Sequence, residues 1–379
     1  MKPQDSILVL LHAYYLDDTR VKRHCELLAQ SGKKVTVLCL NKGKERSKET
    51  VNSVIINRAP IARSKLKSKL FYLIEYFLFF VFCFFKSTKS CFGDKPSLII
   101  VNNMPNALVF TAIVPKIFGI PILLDVHDLM PELVDIIFKK KGSLLKKVLV
   151  IEERMSFVFA SYLMTVSLPV KKLLEKRSKY DFFIVHNSPY HLPVLNKEVN
   201  NDLKVVFHGN IHERYGLQRV LEPLNIVRNT VANVRLDIHG KGPYVDDLTI
   251  LIKPLDFVHF HGCFSPEDVP AILANASLGI VMNYPNHSND FALPVKMLEY
   301  IANKVPVICP RLPVLLEYFS SESVFYFNDD DDLAEVLLFA LSEPKLREKK
   351  AASAFEEYQE ISWDNEKNRY IEYIDKILK

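Results

Sequence analysis

One stretch of the chain, Leu293–Ile308, reads LPVKMLEYIANKVPVI. Its pattern predicts a helix with a proline in the first turn, followed directly by a buried strand. Lys296 and Glu299 are three residues apart, so they share one face near the start of that helix. A cation and a carboxylate beside the positive end of a helix dipole suit a ligand with both phosphates and hydroxyls, such as a nucleotide sugar.

Apolar runs of strand length alternate with helical patterns along all 379 residues, which predicts a parallel α/β architecture. Residues 1–190 form the first predicted domain, the polar stretch 191–202 a linker, and 203–361 a second domain in which the pattern restarts. The predicted fold class is α/β, with two Rossmann-like, doubly wound domains. Ligands bind beyond the carboxyl ends of the strands in such sheets, so a cleft between facing domains is the expected site.

The sequence also predicts where the individual strands and helices fall. In the first domain, strands are expected at 6–12, 34–40, 97–102, 120–126, 162–167 and 182–186, and helices at 17–30, 105–118 and 143–159. In the second domain, strands are expected at 204–208, 234–239, 257–261, 278–283, 305–309 and 324–327. Residues 330–379 are expected to be helical and charged.

The net charge of +5 is unevenly distributed. Residues 1–190 carry 30 Lys and Arg against 16 Asp and Glu, a net of +14, whereas residues 191–379 carry 19 against 28, a net of −9. A basic first domain is suited to an anionic membrane or a phosphorylated lipid, and an unevenly charged solvated surface is the simpler alternative. Nucleic acid is not expected as a partner, because the basic residues are spread without a recognisable motif.

Residues 70–85 raise the question of membrane contact. Nine of these 16 residues are aromatic, Glu75 is the only charged one, and lysines flank the run within 65–89. A spanning helix needs about 20 apolar residues, so the run is short for a span. A buried crossover helix and an interfacial helix with lysines on anionic lipid remain the two main interpretations.

The six cysteines lack C-x-x-C spacing and lie mostly in apolar runs, as reduced thiols of a cytoplasmic protein would. The N-terminal residues do not have the layout of a signal peptide. The expected location is therefore the cytoplasm, with peripheral attachment to the inner face of the cytoplasmic membrane as the further expectation.

Three motifs besides the opening stretch carry polar groups at predicted strand ends. LDVHDLMPE at 124–132 puts His127 and Asp128 after an apolar strand, although a histidine there often only caps a helix or bonds within the core. HGNIHERYG at 208–216 supplies Gly209, where backbone can approach a diphosphate, and Arg214, which can neutralise it. HGKGP at 239–243 supplies a G-x-G turn that is weak evidence alone.

These motifs, in this order, resemble family 4 (group 1) retaining glycosyltransferases of the GT-B fold, of the type found in bacterial polysaccharide biosynthesis. The stretches DDTRV at 17–21, GKKVTV at 32–37 and NNMP at 102–105 extend the resemblance over nearly the whole chain. The resemblance implies an acceptor-side first domain, a donor-binding second domain, and a C-terminal helix, residues 362–379, that packs back on the first domain.

The resemblance also implies roles for particular residues. His127 and Asp128 would be catalytic and would contact the donor sugar or the acceptor. The residues expected to bind the donor are Gly209, Arg214, Gly240, Gly242, Phe291, Ala292, Leu293, Lys296 and Glu299.

The chain departs from the family pattern at three places. Phe291 stands where the first of two glutamates is usual, and Asn210 where a second basic residue is common. Lys304 replaces a common glycine, so Asn303 is expected to take the left-handed conformation there.

The implied reaction moves a sugar from a nucleotide-diphosphate sugar to a lipid-linked or polysaccharide acceptor with retention of configuration. The resemblance implies no cofactor and no metal ion, because basic side chains and helix N-termini can stabilise the leaving diphosphate. Two alternatives stay open at this point: a GT-B sugar-nucleotide epimerase, and a degenerate, non-catalytic glycosyltransferase that binds a partner.

Overall fold

A computed structural model describes residues 4–43, 45–61, 69–138, 144–190, 202–285 and 289–379. The chain divides into two compact units. Unit 1 comprises the residues up to Val185 together with Lys367–Lys379, and unit 2 comprises His186–Glu366. Both units consist of a mostly parallel sheet with helices packed on it, so the α/β prediction is confirmed. The predicted linker at 191–202 lies outside the described residues, except for Asp202.

Unit 1 contains an eight-stranded sheet in the order β3-β4-β2-β1-β5-β6-β7-β8. All neighbouring strands are parallel except β3 and β4. The strands are β1 (Ser6–Leu10), β2 (Lys34–Cys39), β3 (Lys48–Val51), β4 (Val54–Arg58), β5 (Leu98–Asn102), β6 (Ile122–Val126), β7 (Tyr162–Thr165) and β8 (Phe183–Ile184).

The helices of unit 1 include one that crosses the unit boundary. They are α1 (Thr19–Gln30), α2 (Lys69–Ser90), α3 (Ile113–Ile117), α4 (Met130–Phe138), α5 (Leu144–Phe159), α6 (Leu168–Ser178) and, for the most part, α14 (Trp363–Leu378). The single helix expected at 105–118 is instead a 3₁₀ segment, Asn106–Ala112, that leads into the short α3. The hairpin β3–β4 was not predicted, because its first strand, KETV, is polar and gives no apolar strand signal.

Helix α2 contains the whole aromatic run and is buried on one face only. Glu75, Phe79, Cys83 and Ser87 are buried at a spacing of four residues, whereas Leu73, Phe77 and Phe85 are each 66% exposed. The expectation of a buried crossover helix is therefore correct for one face and wrong for the other. Within the described residues, no helix is both long enough and apolar enough to cross a membrane.

Unit 2 contains a six-stranded sheet in the order β11-β10-β9-β12-β13-β14, and every neighbouring pair is parallel. The strands are β9 (Leu203–Asn210), β10 (Val234–Lys241), β11 (Val258–Gly262), β12 (Ala276–Ile280), β13 (Val307–Pro310) and β14 (Phe325–Phe327). The helices are α7 (Leu221–Val227), α8 (Val245–Ile252), α9 (Val269–Leu273), α10 (Val295–Ala302), α11 (Pro313–Tyr318), α12 (Asp330–Ser342) and α13 (Pro344–Gln359). Apolar clusters fill both faces of this sheet, as parallel strands require.

The chain enters unit 2 at His186 and leaves it at Glu366, and these two residues contact each other. His186, the first residue of unit 2, contacts the buried Glu366, the last, with 2.9 Å between Nδ1 and Oε1. The His186 backbone N–H donates to the same carboxylate at 3.1 Å. Beyond this pair, α14 supplies Tyr370, Ile374 and Ile377 to the core of unit 1.

Candidate functional site

Glycines at the carboxyl ends of β9 and β10 let the backbones of the two strands approach each other closely. A Cβ atom on Gly240 would lie 2.0 Å from the carbonyl oxygen of Gly209, and one on Gly242 would lie 1.9 Å from that of Ile211. Neither position can accept a side chain without movement of the backbone. Gly240 and Gly242 are therefore needed for packing between the strand ends, while Gly209, at φ +121°, faces the side chain of Lys296.

Lys296 lies in the first turn of α10 and reaches to the end of β9. Its Nζ atom lies 3.8 Å from the centre of the Phe207 ring, and a Cβ atom on Gly209 would lie 3.5 Å from its Cε atom. Burial lowers the pKa of Lys296 to about 7, and the Glu299 carboxylate only partly offsets this shift. An ammonium group with so little solvation is well suited to an anionic ligand.

Glu299, one turn further along α10, faces His208 at the end of β9. Glu299 Oε2 lies 3.6 Å from His208 Nε2, and the imidazole is 1% exposed. Burial, together with the positive charge of Lys296, lowers the pKa of His208 to about 3. The histidine is therefore neutral near pH 7.

Arg214 is exposed and shares the ring of Tyr215 with Lys296. Its Nη2 atom donates to the Tyr215 hydroxyl at 3.0 Å, and the guanidinium carbon lies 4.9 Å from the ring centre. Lys296 Nζ lies 5.6 Å from the same ring centre. Arg214 and Lys296 thus both lie near the ring of Tyr215, an arrangement that is suited to a diphosphate.

Phe291, Ala292 and Leu293 immediately precede α10. Ala292 is exposed, Phe291 is half-buried, and Leu293 packs against an apolar cluster of unit 2. Pro294 is the N-cap of α10 and forms no side-chain capping bond. The stretch therefore lies beside the start of the helix that carries Lys296 and Glu299.

The expectation for the end of α10 is wrong in its detail. Lys304, and not Asn303, takes the left-handed conformation, with φ +52°. Asn303 has φ −93°, and its side-chain amide donates to the carbonyl oxygen of Glu299 at 2.8 Å. This bond holds Asn303 in the last helical turn, so the reversal falls one residue later.

A polar cluster on β10 and β11 has the residue types of a metal site. Potential ligand atoms of Asp237, His239 and His261 lie within 4.8 Å of one another. The two imidazole rings, however, are stacked at 4.4 Å with 9° between their planes, so their in-plane lone pairs do not converge on one point. Asp237 also lies 3.7 Å from Lys204 and 3.6 Å from Arg235, which favours an ion-pair cluster over a metal site.

In unit 1, His127 follows β6 and is held by a buried ion pair. Arg20 of α1 donates to both carboxylate oxygens of Asp125, at 3.2 and 2.5 Å. Its Nη2 atom also lies 2.8 Å from His127 Nδ1. Because guanidinium can only donate, Nδ1 must accept, and the ring proton belongs on Nε2.

Burial and the charge of Arg20 lower the pKa of His127 well below its usual value. The imidazole is therefore neutral and offers an Nε2–H donor. Asn103, after β5, holds the loop, because its Oδ1 atom accepts from the backbone N–H groups of His127 at 3.0 Å and Asp128 at 3.3 Å. The Asp128 side chain is 53% exposed, 3.9 Å from His127 Nε2.

The predicted residues thus fall into two groups. Gly209, Arg214, Lys296 and Glu299 come together in unit 2, with Gly240 and Gly242 behind them, and His127 and Asp128 share a loop of unit 1. Sequence reasoning assigned no role to His208, Tyr215, Arg20, Asp125 or Asn103. A charge within the apolar strand ILLDV was the available signal for Asp125.

Comparison with known proteins defines the class of this molecule. Residues 195–357 match the family model described as "Glycosyl transferases group 1". A sucrose-phosphate synthase structure from Thermosynechococcus elongatus is similar over 99% of both chains, with a TM-score of 0.76 and 14% identity. HepE of Anabaena, solved with UDP and glucose, is similar over 97% of this chain and 99% of its own, with a TM-score of 0.69 and 13% identity.

The fold is that of the GT-B glycosyltransferases, and the family match supports a glycosyltransferase. Among curated proteins, a chitobiosyldiphosphodolichol β-mannosyltransferase of Debaryomyces hansenii is 23% identical over 86% of this chain and 79% of its own length. The match of residues 195–357 to group 1 of the glycosyl transferases confirms the resemblance noted from the motifs.

Proposed function

We propose that the chain transfers a sugar from a nucleotide-diphosphate sugar to a lipid-linked or polysaccharide acceptor, with retention of configuration and without a metal ion. The observation that carries the proposal is the placement of Lys296 and Glu299. The two side chains lie on one turn of α10 against Gly209 and His208. The Lys296 cation can bind a diphosphate, and the Glu299 carboxylate can accept hydrogen bonds from hydroxyls of the sugar or the ribose.

In this reaction negative charge builds up on the leaving diphosphate. Lys296 and Arg214, which both lie near the Tyr215 ring, would offset that charge as groups already held in place. Glu299 would accept hydrogen bonds from hydroxyls of the donor. His127, neutral and protonated on Nε2, would donate to an oxygen of the sugar or the acceptor.

The acceptor part of the proposal draws on the Debaryomyces relative. Its name specifies a diphosphodolichol carrier, which is a lipid-linked acceptor. That name also specifies a β-mannosyl product, so the anomeric configuration of the product has to be measured separately from transfer. If the reaction retains configuration, the transferred sugar should have the same anomeric configuration in the product as in the donor.

The proposal extends to the compartment. All six cysteines are free, and Cys25, Cys39, Cys83 and Cys309 are buried. Burial raises the pKa of the Cys83 thiol well above its usual value, so it is unreactive. These features support a reducing cytoplasm as the site of action.

The test is thermal stabilisation of the purified chain by a panel of nucleoside diphosphates and their sugars, with and without EDTA. We expect one nucleotide to raise Tm, by an amount that EDTA does not change. Glu299→Ala should lose the added stabilisation by the sugar nucleotide, whereas Glu335→Ala, an exposed glutamate on α12, should keep it.

Stabilisation by none of the nucleotides would contradict the donor site and favour the non-catalytic alternative. Interconversion of the sugar without any acceptor would instead identify an epimerase. Transfer with an EDTA-sensitive rate would refute the metal-free part of the proposal alone.

A further inference from the structure

Exposed apolar side chains are concentrated in one part of unit 1. Of the 25 large hydrophobic side chains that are exposed among the described residues, 16 lie between Tyr72 and Val158. They are Tyr72, Leu73, Ile74, Phe77, Leu78, Phe85, Phe92, Ile113, Ile117, Phe118, Leu144, Leu145, Val148, Ile151, Met155 and Val158. Apolar side chains grouped in this way mark an interaction surface.

All of these side chains except Phe92 and Phe118 belong to three helices, α2, α3 and α5, that pack on a common segment. Ser87 of α2 donates to the carbonyl oxygen of Thr111 at 2.7 Å, and Phe92 meets Phe118 with 5.4 Å between ring centres. Phe159 of α5 meets Phe110 at 5.1 Å. Helices α2 and α5 are therefore both anchored to the 3₁₀ segment and α3, and their exposed side chains form what we call the three-helix face.

Helix α5 turns its apolar face to solvent, whereas an ordinary surface helix buries that face. Its exposed residues Leu144, Val148, Ile151, Met155 and Val158 follow helical spacing, so they form one apolar stripe turned to solvent. The charged Glu153 and the polar Ser156 are turned inward and are fully buried.

The acidic residues of these helices are paired inside the unit. Glu153 lies 3.3 Å from Arg177, and Glu75 of α2 lies 3.3 Å from His12. The buried carboxylates of Glu75 and Glu153 thus fix how α2 and α5 are turned about their own axes. This orientation leaves the apolar stripe of α5 exposed.

The exposed charges on the helices of the face have one sign. Among the described side chains of α2, α3 and α5, the exposed charged ones are Lys86, Lys89, Lys147 and Arg154. Basic side chains beside an apolar surface match anionic headgroups above acyl chains, and each strengthens binding to such a surface about fivefold.

We propose that the three-helix face docks on the surface of an anionic phospholipid bilayer, with its apolar side chains in the interfacial zone. The inference rests on the proposed function, since it states how a lipid-linked acceptor would meet the enzyme. Hydrogen bonds join the face to the loop of His127: Asn103, which holds that loop, donates to Asn106 at 3.1 Å, and Asn106 donates to Glu152 of α5 at 3.3 Å.

The test is co-sedimentation of the full chain with vesicles of phosphatidylcholine alone or enriched in phosphatidylglycerol. We expect binding to the anionic vesicles that weakens with added salt. Ile151→Glu should lower the partition coefficient roughly tenfold to a hundredfold, because an exposed aliphatic side chain that the bilayer would bury is replaced by a charge. Lys147→Glu should lower it at least about fivefold.

Ile250→Glu is the matched control, because Ile250 is 71% exposed on α8 of unit 2, and its binding should equal that of the wild type. Stabilisation by nucleotides should be unchanged in all three variants, so a failure of docking is distinguishable from a failure of the donor site. Wild-type protein that stays in solution with anionic vesicles would refute the proposal. A dimer that Ile151→Glu dissociates would refute it as well, by assigning the face to a second copy.

Discussion

At the residue scale, Lys296 links ligand binding to pH. Its pKa is lowered to about 7 by burial, so the free protein loses this positive charge as pH rises through 7. A bound diphosphate would raise the pKa again, and binding above pH 7 would therefore take up a proton. Affinity for the diphosphate is expected to be highest below pH 7 and to fall between about pH 7 and 9. The terminal phosphate ionises near pH 6, below this range, so its ionisation does not cause the fall.

Titration calorimetry in two buffers of different ionisation enthalpy measures this uptake. At about pH 8 the wild type should bind close to one proton per nucleotide. Lys296→Arg should bind none, because arginine keeps its charge at that pH. Equal affinity at about pH 6 and 9 would rule out the lowered pKa as a factor in binding.

Arg20 is a positioning residue for His127, and its effect is visible in the tautomer of the ring. We expect long-range ¹H–¹⁵N spectra to show His127 protonated on Nε2 and bare on Nδ1, with His127→Asn as the assignment control. The double substitution Arg20→Met/Asp125→Leu removes the ion pair without leaving one charge buried. It should mix the tautomers and lower transfer roughly tenfold or more, while stabilisation by nucleotides is retained.

A wild-type ring protonated on Nδ1 would contradict this role for Arg20. So would a double variant with mixed tautomers and full activity. Either result would leave Arg20 as a structural partner of Asp125 alone.

At the element scale, the features that could be predicted are strands and residue spacings that depend on neighbouring residues in the sequence. All six strands of unit 2 were predicted, because buried parallel strands are continuous apolar runs bounded by turns. Lys296 and Glu299 were predicted together because one helix fixes their spacing. The polar β3 and the 3₁₀ segment gave no such periodic signal.

Contacts between distant elements were not predictable in the same way. Arg20 and His127 are 107 positions apart and meet only because β1 and β5 bring α1 beside the end of β6. The inverted orientation of α5 was missed for a related reason. An apolar stripe in a sequence predicts a buried face, whereas here the buried Glu153, paired with Arg177, lies inside and the stripe is exposed.

At the scale of the whole molecule, unit 1 depends on residues that follow unit 2 in the chain. Ile374 of α14 is fully buried in the unit 1 core. Ile374→Ala should lower the free energy of unfolding of unit 1 by about 2–5 kcal/mol. Hydrogen exchange followed peptide by peptide should show the loss of protection in β1, β2 and β5, with β9 and β10 less affected.

Glu372→Ala, an exposed change on the same helix, is the control and should change stability by less than about 0.5 kcal/mol. Unchanged protection of unit 1 in Ile374→Ala would show that α14 only covers the unit and does not hold its core.

The position of α14 also sets an order of events on the ribosome. The whole of unit 2 is translated between Val185 and the helix that supplies Tyr370, Ile374 and Ile377 to unit 1. The nascent first sheet therefore emerges early, before α14 can complete the cluster on one of its faces, and this incomplete state is prone to aggregation and suited to chaperone binding. Slower translation of unit 2 would prolong that exposure without altering a single residue.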